Sequence, residues 1–391
     1  MRILHLATFL QGGAGLAITE LARTQHQLGH DVAVITSQTG APGYGNYAGH
    51  LETLERAQVP VHQIDSLFSR DSGGNVRVAA FIEHQLSPHS LDVIHAHAAI
   101  PSAIGLTVAA GVRHHLPIVQ TMHGWGVAKS ESQQKTDIAI LNRVDHVVVP
   151  AETSAGLLRT LGMSNRMTVV PYGVVEGPMV SADRGPAADL RSLISGRHGD
   201  DVVVLGVVGT IGARKNQRLL VDALPLIHGR HNVVCVFIGD GEADVLKVHA
   251  AAKGVADRII CTGYRRDARE LSSVADWIVL PSQSEGQPLS ILEAQCDGLP
   301  VIASDIPELR ELCAGGSTGL LFANNSAPAL AVAVERAIGL DPVARRRLIK
   351  RARAKYESAF SVKHMVDGYI RIYRDVCQDI ASGRSASWKA S

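Results

Sequence analysis

Short apolar runs alternate with helix-length segments along almost the whole chain. In the first half, RILHLAT, DVAVITS, LDVIHAH, LPIVQTMHG, DHVVVPA and MTVVPYG read as strands. They are apolar at both parities, the pattern of strands covered by helices on both faces of a parallel sheet. A Gly-rich turn follows the first run, a helix is predicted over 15–28, and a small-residue helix near 103–110. The rhythm breaks at VVEGPMVSADRGPAADLRSLISGRHGDD (174–201), which is rich in Gly, Pro, Ser and charge and carries no strand pattern. An interdomain connection is expected at 174–184, with a short helix after it. The alternation then restarts: VVVLGVVGT, NVVCVFIGDG, RIICTGY, ADWIVLPS and PVIASD as strands, NQRLLVDALPLIHG and EADVLKVHAAAKG as helices. The pattern predicts an α/β, doubly wound protein of two similar domains in series, without detectable sequence repetition.

Composition narrows the function more than the fold. A length of 391 residues suits two domains. A net charge of +1 and an aromatic content of 4% argue against a nucleic-acid partner, which would call for a basic excess or base-stacking rings. The five cysteines, Cys235, Cys261, Cys296, Cys313 and Cys377, form no CxxC or metal spacing. They are read as reduced thiols of a cytoplasmic protein. MRILHLATFL has neither the long apolar region nor the cleavage site of a signal peptide, and no apolar run reaches the roughly 18 residues of a membrane span. The basic segment DPVARRRLIKRARAK (341–355) is predicted helical. Its plain reading is a solvated face. Its sharper reading is peripheral contact with anionic lipid headgroups at the inner face of the membrane, or with an anionic acceptor.

Three stretches carry chemistry. LQGGAGLAITELA follows the first strand, and its Gly12, Gly13 and Gly15 would let backbone N–H groups approach an anion. They do not spell GxGxxG, and TSQTGAPG stands where a dinucleotide fold puts its acidic residue, so an NAD-dependent dehydrogenase is disfavoured. A ligand-free tight turn and a loop touching a phosphate or sugar both remain. In VVGTIGARKNQRLL, Asn216 is placed to cap a helix, with Arg214 and Lys215 just before it. Two cations at the positive end of a helix are unfavourable unless an anion lies between them and the amides, and a diphosphate suits both. The alternative is a pair of solvated loop cations. SEGQPLSILEA puts Glu285 in a loop and Glu293 inside the following helix, with Pro288 in its first turn. Two carboxylates that share no helix face are not a general acid/base pair. They suit hydroxyls on either side of a diphosphate, at roughly 1.5–3 kcal/mol per charged hydrogen bond. A nucleoside diphosphate sugar has that shape. Either glutamate alone reads equally well as a surface or capping residue.

The E-x7-E spacing resembles the signature of retaining glycosyltransferases of family 4, of the GT-B fold. The likeness extends over most of the chain through GG after the first strand, DVIHAH (92–97), TMHG (121–124), VVPYGV, VVGTIGARKN, FIGDGE (237–242), CTGY (261–264) and the final FSVKHMVDGYIRIYRDV. It implies two Rossmann-like domains, 1–175 for the acceptor and 176–359 for the nucleotide sugar, with a terminal helix at 360–379 packing back on the first; the small polar residues of GRSASWKAS read as a flexible tail, 380–391. It implies that Glu293 binds the ribose, Glu285 the sugar hydroxyls, and Lys215 the diphosphate with help near Gly13, while His123 neighbours the transferred sugar. Glu285, Lys215 and His123 are thus the candidate catalytic residues. The donor-binding set is Gly12, Gly13, Thr210, Arg214, Lys215, Gly263, Tyr264, Glu285, Gly286, Gln287, Pro288, Leu289 and Glu293. Thr210 stands where the family often has an arginine, which Arg214 would replace, and Gln287 stands where it commonly has an aromatic. A front-face retaining transfer from a UDP-sugar, or second GDP-mannose, to a glycan, lipid-linked or small glycoside acceptor is the expectation. No cofactor and no metal are expected, although His95 and His97, two apart at a strand end, could supply two ligands of a metal site. A sugar-nucleotide epimerase and a non-catalytic nucleotide-sugar sensor are the alternatives.

Overall fold

The structure is a computed structural model that describes residues 1–41, 43–66, 68–70, 72–126, 129–176 and 185–382. It divides into two units, Met1–Gly173 together with the segment that begins at Val362, and Val174–Ser361. The change-over falls two residues from each boundary expected from the sequence.

The first unit is built on a seven-stranded sheet: β1 (Arg2–Leu6), β2 (Asp31–Ser37), β3 (Val61–Ile64), β4 (Val93–Ala96), β5 (Ile118–Thr121), β6 (His146–Val149) and β7 (Met167–Val169), in the order β3-β2-β1-β4-β5-β6-β7. Every pairing is parallel. The inner strands β1, β2, β4, β5 and β6 are largely buried, which accounts for their lack of polar alternation, while the edge strands β3 and β7 are not. The order reverses between β1 and β4, and a crevice outside the strand ends at such a switch point is where open α/β sheets bind ligands. The terminal helix Val362–Ala381 belongs to this unit and buries Met365, Val366, Tyr369, Ile370, Ile372, Tyr373 and Val376. It runs further than the sequence suggested, because Ile380 and Ala381 still continue its turns; the rest of the expected tail, 383–391, lies outside the described residues.

The second unit holds β8 (Val203–Val208), β9 (Val233–Ile238), β10 (Ile259–Cys261), β11 (Trp277–Leu280), β12 (Val301–Ser304) and β13 (Leu320–Phe322), in the order β10-β9-β8-β11-β12-β13 and again parallel throughout. Its switch point lies between β8 and β11. The expected connection at 174–184 lies mostly outside the described residues, and the helix after it is Gly185–His198. Strands β3 and β13, and the helices Ala48–Arg56, Ser72–Gln85 and Glu131–Leu141, carried no clear signal in the sequence.

The basic segment forms the helix Pro342–Ala359, capped by Asp341, whose carboxylate accepts from the amides of Val343 and Ala344. It is not a uniformly solvated face. Arg345 donates to the carbonyl of Asp276, Arg351 to Ser317, Arg353 to Cys296, and Lys355 to Glu311 and Leu312. Two of these cations thereby serve the carbonyl ends of the helices Leu289–Asp297 and Pro307–Leu312, where positive charge is favoured. Arg346, Arg347 and Lys350 remain exposed. Among the described residues, no helix is long and apolar enough to cross a membrane.

Candidate functional site

The switch point of the second unit gathers the loops that leave β8, β9, β10 and β11. Gly239 and the loop after β8 are pressed together so closely that a Cβ at Gly239 would stand 2.2 Å from the Gly209 carbonyl oxygen. The Gly239 amide in turn donates to the Gly263 carbonyl at 3.1 Å, so FIGDGE and CTGY lock onto the same loop. Gln217, buried in the first turn of the helix Gln217–His228, straps that loop from the other side. Its Oε1 accepts from the Gly212 amide (3.1 Å) and its Nε2 donates to the Thr210 carbonyl (3.0 Å). Asn216 does precede the helix, but its side chain does not cap it. The residue takes a left-handed backbone and its amide donates to Asn325 Oδ1 instead.

Held this way, Arg214 and Lys215 converge on one carboxylate. Glu285 Oε1 is 2.7 Å from Lys215 Nζ, and Oε2 is 2.7 Å from Arg214 Nη1. The Arg214 guanidinium also donates to the Ser284 carbonyl, and the Gln283 amide donates to the Arg214 carbonyl, so the two loops are tied by main chain as well. The Glu285 side chain is only 4% exposed. Burial works against its ionisation, but Lys215 and then Arg214 outweigh it, and the carboxyl is held below its ordinary range. Glu285 lies beside both, because a buried carboxylate needs a counter-charge.

Glu293 is placed differently. It lies in the helix Leu289–Asp297, with Pro288 at the N-cap, one residue before the expected first turn. It makes no hydrogen bond or ion pair among the described residues. Burial pushes its carboxyl up to about 7, against the pull of Arg269 and with a further push from Asp297. Arg269 spends its guanidinium on Asp297, at 2.7 and 2.6 Å. Gln287 and Leu289 are buried in the same stretch, while Tyr264 is exposed.

The remaining sequence-predicted residues belong to the first unit and form a second group. The helix after β1 is Gly12–Gln27, three residues earlier than expected, so Gly12 and Gly13 are its first turn and their amides are the free N-terminal donors. Gly15 must lack a side chain: a Cβ there would meet the Leu10 carbonyl carbon at 2.4 Å. His123 follows β5. Its Nδ1 is 2.6 Å from the Tyr172 hydroxyl and its Nε2 is 3.0 Å from His97 Nδ1. His97 Nε2 meets His5 Nδ1 at 3.0 Å, and His5 Nε2 meets Gln25 Oε1 at 2.8 Å. His5, Gln25, Gln217 and Tyr172 were not singled out from the sequence. His5 hides within an apolar strand, the partners of Gln25 and Tyr172 lie 20 and 49 positions away, and Gln217 holds main-chain groups of its own loop, which nothing in the sequence marks.

His5, His95 and His97 bring ligand nitrogens within 4.8 Å of one another, adding a third imidazole to the pair noted at the strand end. Both nitrogens of all three rings are already hydrogen-bonded: His95 uses Thr121 Oγ1 (2.7 Å) and the Tyr373 hydroxyl (2.6 Å). A metal ion would have to displace those partners.

Two parallel doubly wound sheets, each with a switch point, and a glycine-rich helix start after the first strand have the architecture of the GT-B fold. The comparisons agree. A model described as Glycosyltransferase Family 4 matches residues 11–176, and one described as Glycosyl transferases group 1 matches 202–339. A D-inositol 3-phosphate glycosyltransferase of Streptosporangium roseum is 30% identical over 346 residues, covering 79% of this chain and 76% of that protein. The UDP-Gal:alpha-D-GlcNAc-diphosphoundecaprenol alpha-1,3-galactosyltransferase of Escherichia coli is 25% identical, covering 74% and 77%. In fold the chain is similar to Anabaena Alr3699/HepE in complex with UDP and glucose, with a TM-score of 0.80, 20% identity, and 96% and 100% covered. The chain belongs to glycosyltransferase family 4, and it is a glycosyltransferase.

Proposed function

We propose that the chain moves a sugar from a nucleoside diphosphate sugar, UDP-linked in the first place and GDP-mannose in the second, to a hydroxyl of a glycan, lipid-linked or small glycoside acceptor, with retention at the anomeric carbon. The observation that carries this is the convergence of Lys215 and Arg214 on the buried Glu285 at the switch point of the second unit, with Glu293 in the helix that follows. A UDP-linked donor is supported by the Escherichia coli relative, a UDP-Gal transferase, and by the Anabaena complex with UDP and glucose.

In this reading Lys215 leaves part of its pairing with Glu285 to meet the diphosphate, and Glu285 turns to the sugar hydroxyls. Arg214, Thr210, Gly263, Tyr264 and the stretch Gly286, Gln287, Pro288 and Leu289 complete the donor pocket, and Glu293 takes the ribose. Gly12, Gly13 and His123 serve the transferred group from the first unit. The C1–O bond to the diphosphate breaks as the acceptor oxygen arrives on the same face, and the departing phosphate oxygen takes the acceptor proton. Preorganised cations and amides stabilise the charge that builds on the leaving group. The residues named require neither metal nor cofactor. Exposed Arg346, Arg347 and Lys350 would give a lipid-linked acceptor a peripheral foothold.

The test is a panel of UDP- and GDP-sugars, with thermal shift to find the donor and then product analysis with candidate acceptors. Transfer with an α-linked product from an α-linked donor, undiminished in chelator, is the expected result. Inversion, an epimerised nucleotide sugar, or binding without turnover would each overturn it.

A further inference from the structure

Four histidines of the first unit, His5, His95, His97 and His123, belong to one continuous hydrogen-bonded chain. A neutral imidazole offers one N–H donor and one acceptor nitrogen, so the direction of one bond fixes the next. Gln25 is fully buried; its Oε1 accepts from His5 Nε2, and its Nε2 donates to the Tyr373 hydroxyl at 3.4 Å. His5 Nδ1 then accepts from His97 Nε2, His97 Nδ1 accepts from His123 Nε2, and His123 Nδ1 accepts from the Tyr172 hydroxyl. On the other side of Gln25, the Tyr373 hydroxyl donates to His95 Nδ1 and His95 Nε2 donates to Thr121. A second proton on His5 or His97 would set donor against donor, whereas His123 and His95 each face a tyrosine hydroxyl on Nδ1, and their Nε2–H is fixed by the acceptors His97 Nδ1 and Thr121 Oγ1.

Burial points the same way. It pushes His5 and His123 down to about 4. It also holds His95 and His97 well below the ordinary histidine value, with neighbouring imidazoles adding to the effect. The titratable groups facing the chain from packed elements are Tyr172, Tyr369 and Tyr373, all shifted upward by burial. Burial and the neighbouring imidazoles, not a charged side chain, are the causes of the lowering at these four rings.

We propose that Gln25, His5 and His97 are positioning residues for the transfer: they hold the His123 imidazole in one orientation, as its uncharged Nε2–H tautomer, beside the transferred sugar. The proposal rests on the placement of His123 given under the proposed function. As the C1–O bond stretches, positive charge grows on the sugar ring. An imidazolium beside it would oppose that charge, and a histidine in water is largely protonated a unit below about 6.5. The chain removes that liability across the whole range in which the enzyme would work.

The first test needs no substrate. In the full chain labelled with 15N, long-range proton–nitrogen correlation is expected to show His5, His97 and His123 neutral and Nε2-protonated from pH 5.5 to 8. A charged ring or an Nδ1–H tautomer at any of the three overturns the proposal. So does one equivalent of zinc that perturbs the His5, His95 and His97 signals together. The second test is Gln25→Glu, which ends the chain in a carboxylate and favours a protonated ring. At saturating donor, kcat of the unmodified chain is expected to stay flat between pH 6 and 8. In the variant it is expected to fall about tenfold from pH 8 to pH 6, with donor KM unchanged. Gln25→Leu reports the packing cost alone. An equal loss at every pH in Gln25→Glu, or a change confined to KM, overturns the positioning role. Absence of turnover in the unmodified chain would overturn the transfer reading and the role assigned here with it, and leave the tautomers as found.

Discussion

Both units put their chemistry at the same topological point, where the sheet order reverses, yet they fill it in opposite ways. In the second unit, between β8 and β11, the groups are ionic: Lys215 and Arg214 on Glu285, with Glu293 making no ion pair among the described residues. In the first, between β1 and β4, they are neutral, a run of imidazoles, hydroxyls and an amide with every ring nitrogen used. The physical demand differs accordingly. A diphosphate brings charge with it and needs mobile counter-charges that can exchange partners. A reacting sugar gains positive charge only transiently, and is served by surroundings that cannot acquire a proton.

The largest effect that would break this contrast concerns Lys215. If it grips the leaving diphosphate, Lys215→Ala should lower turnover about 10²–10³-fold, the usual cost of removing one preorganised donor to developing charge. The fold should survive, since Glu285 keeps Arg214. Steady-state kinetics with purified donor and acceptor is the check, and near-normal turnover would show that the ionic region is structural.

The next effect sharpens the contrast through pH. Glu293 is pushed up to about 7 by burial. Its folded-state value lies above the ordinary one, so its contribution to stability is full at low pH and declines as pH rises toward 7. Donor binding runs the other way, because the ionised carboxylate is the better acceptor for ribose hydroxyls. Affinity for UDP-glucose should therefore rise about tenfold from pH 6 to pH 8, following the ionised fraction of a group that titrates near 7. Glu293→Gln should flatten the profile. Isothermal titration at several pH values reads both. A flat profile in the unmodified chain would remove Glu293 from the donor site.

Much of this was legible in the sequence for particular reasons, and the rest was hidden for equally particular ones. The central strands announce themselves because both faces are apolar, as in VVCVFI of β9. β3 reads VHQI and lies at a sheet edge, half exposed, so it lacks that signal, and β13 is three residues long. The helix Ser72–Gln85 contains two glycines in its first turn, which read as a break. The ionic site was visible because its residues fall in two short stretches whose spacing has a chemical meaning. The neutral chain was not, because Gln25 and Tyr373 are 348 positions apart and nothing local marks either. Charge density misled in the helix Pro342–Ala359. Its cations looked solvated, and four of them hold main-chain carbonyls, a role that depends on which helix ends happen to lie alongside.

That helix supplies the smallest effect, and it compares cations of the same segment. Lys355 donates to the carbonyls of Glu311 and Leu312, at the end of the helix Pro307–Leu312, and burial lowers its affinity for the proton. Lys355→Met keeps much of the stem and removes the donor to both carbonyls, of which Leu312 keeps Gln295 Nε2 and Thr318 Oγ1 as donors. The expected cost is about 1–3 kcal/mol, or a fall in Tm of roughly 2–4 °C per kcal/mol for a domain of this size. Arg346, exposed on the same helix, should tolerate the same change within about 0.5 kcal/mol. Thermal unfolding of the two variants side by side reads the difference. Vesicle co-sedimentation of the pair reads the converse: Arg346→Met should weaken binding to anionic lipid and Lys355→Met should not. If both variants unfold alike, the distinction between structural and solvent-facing cations in this helix fails, and with it the assignment of its exposed charges to a lipid surface.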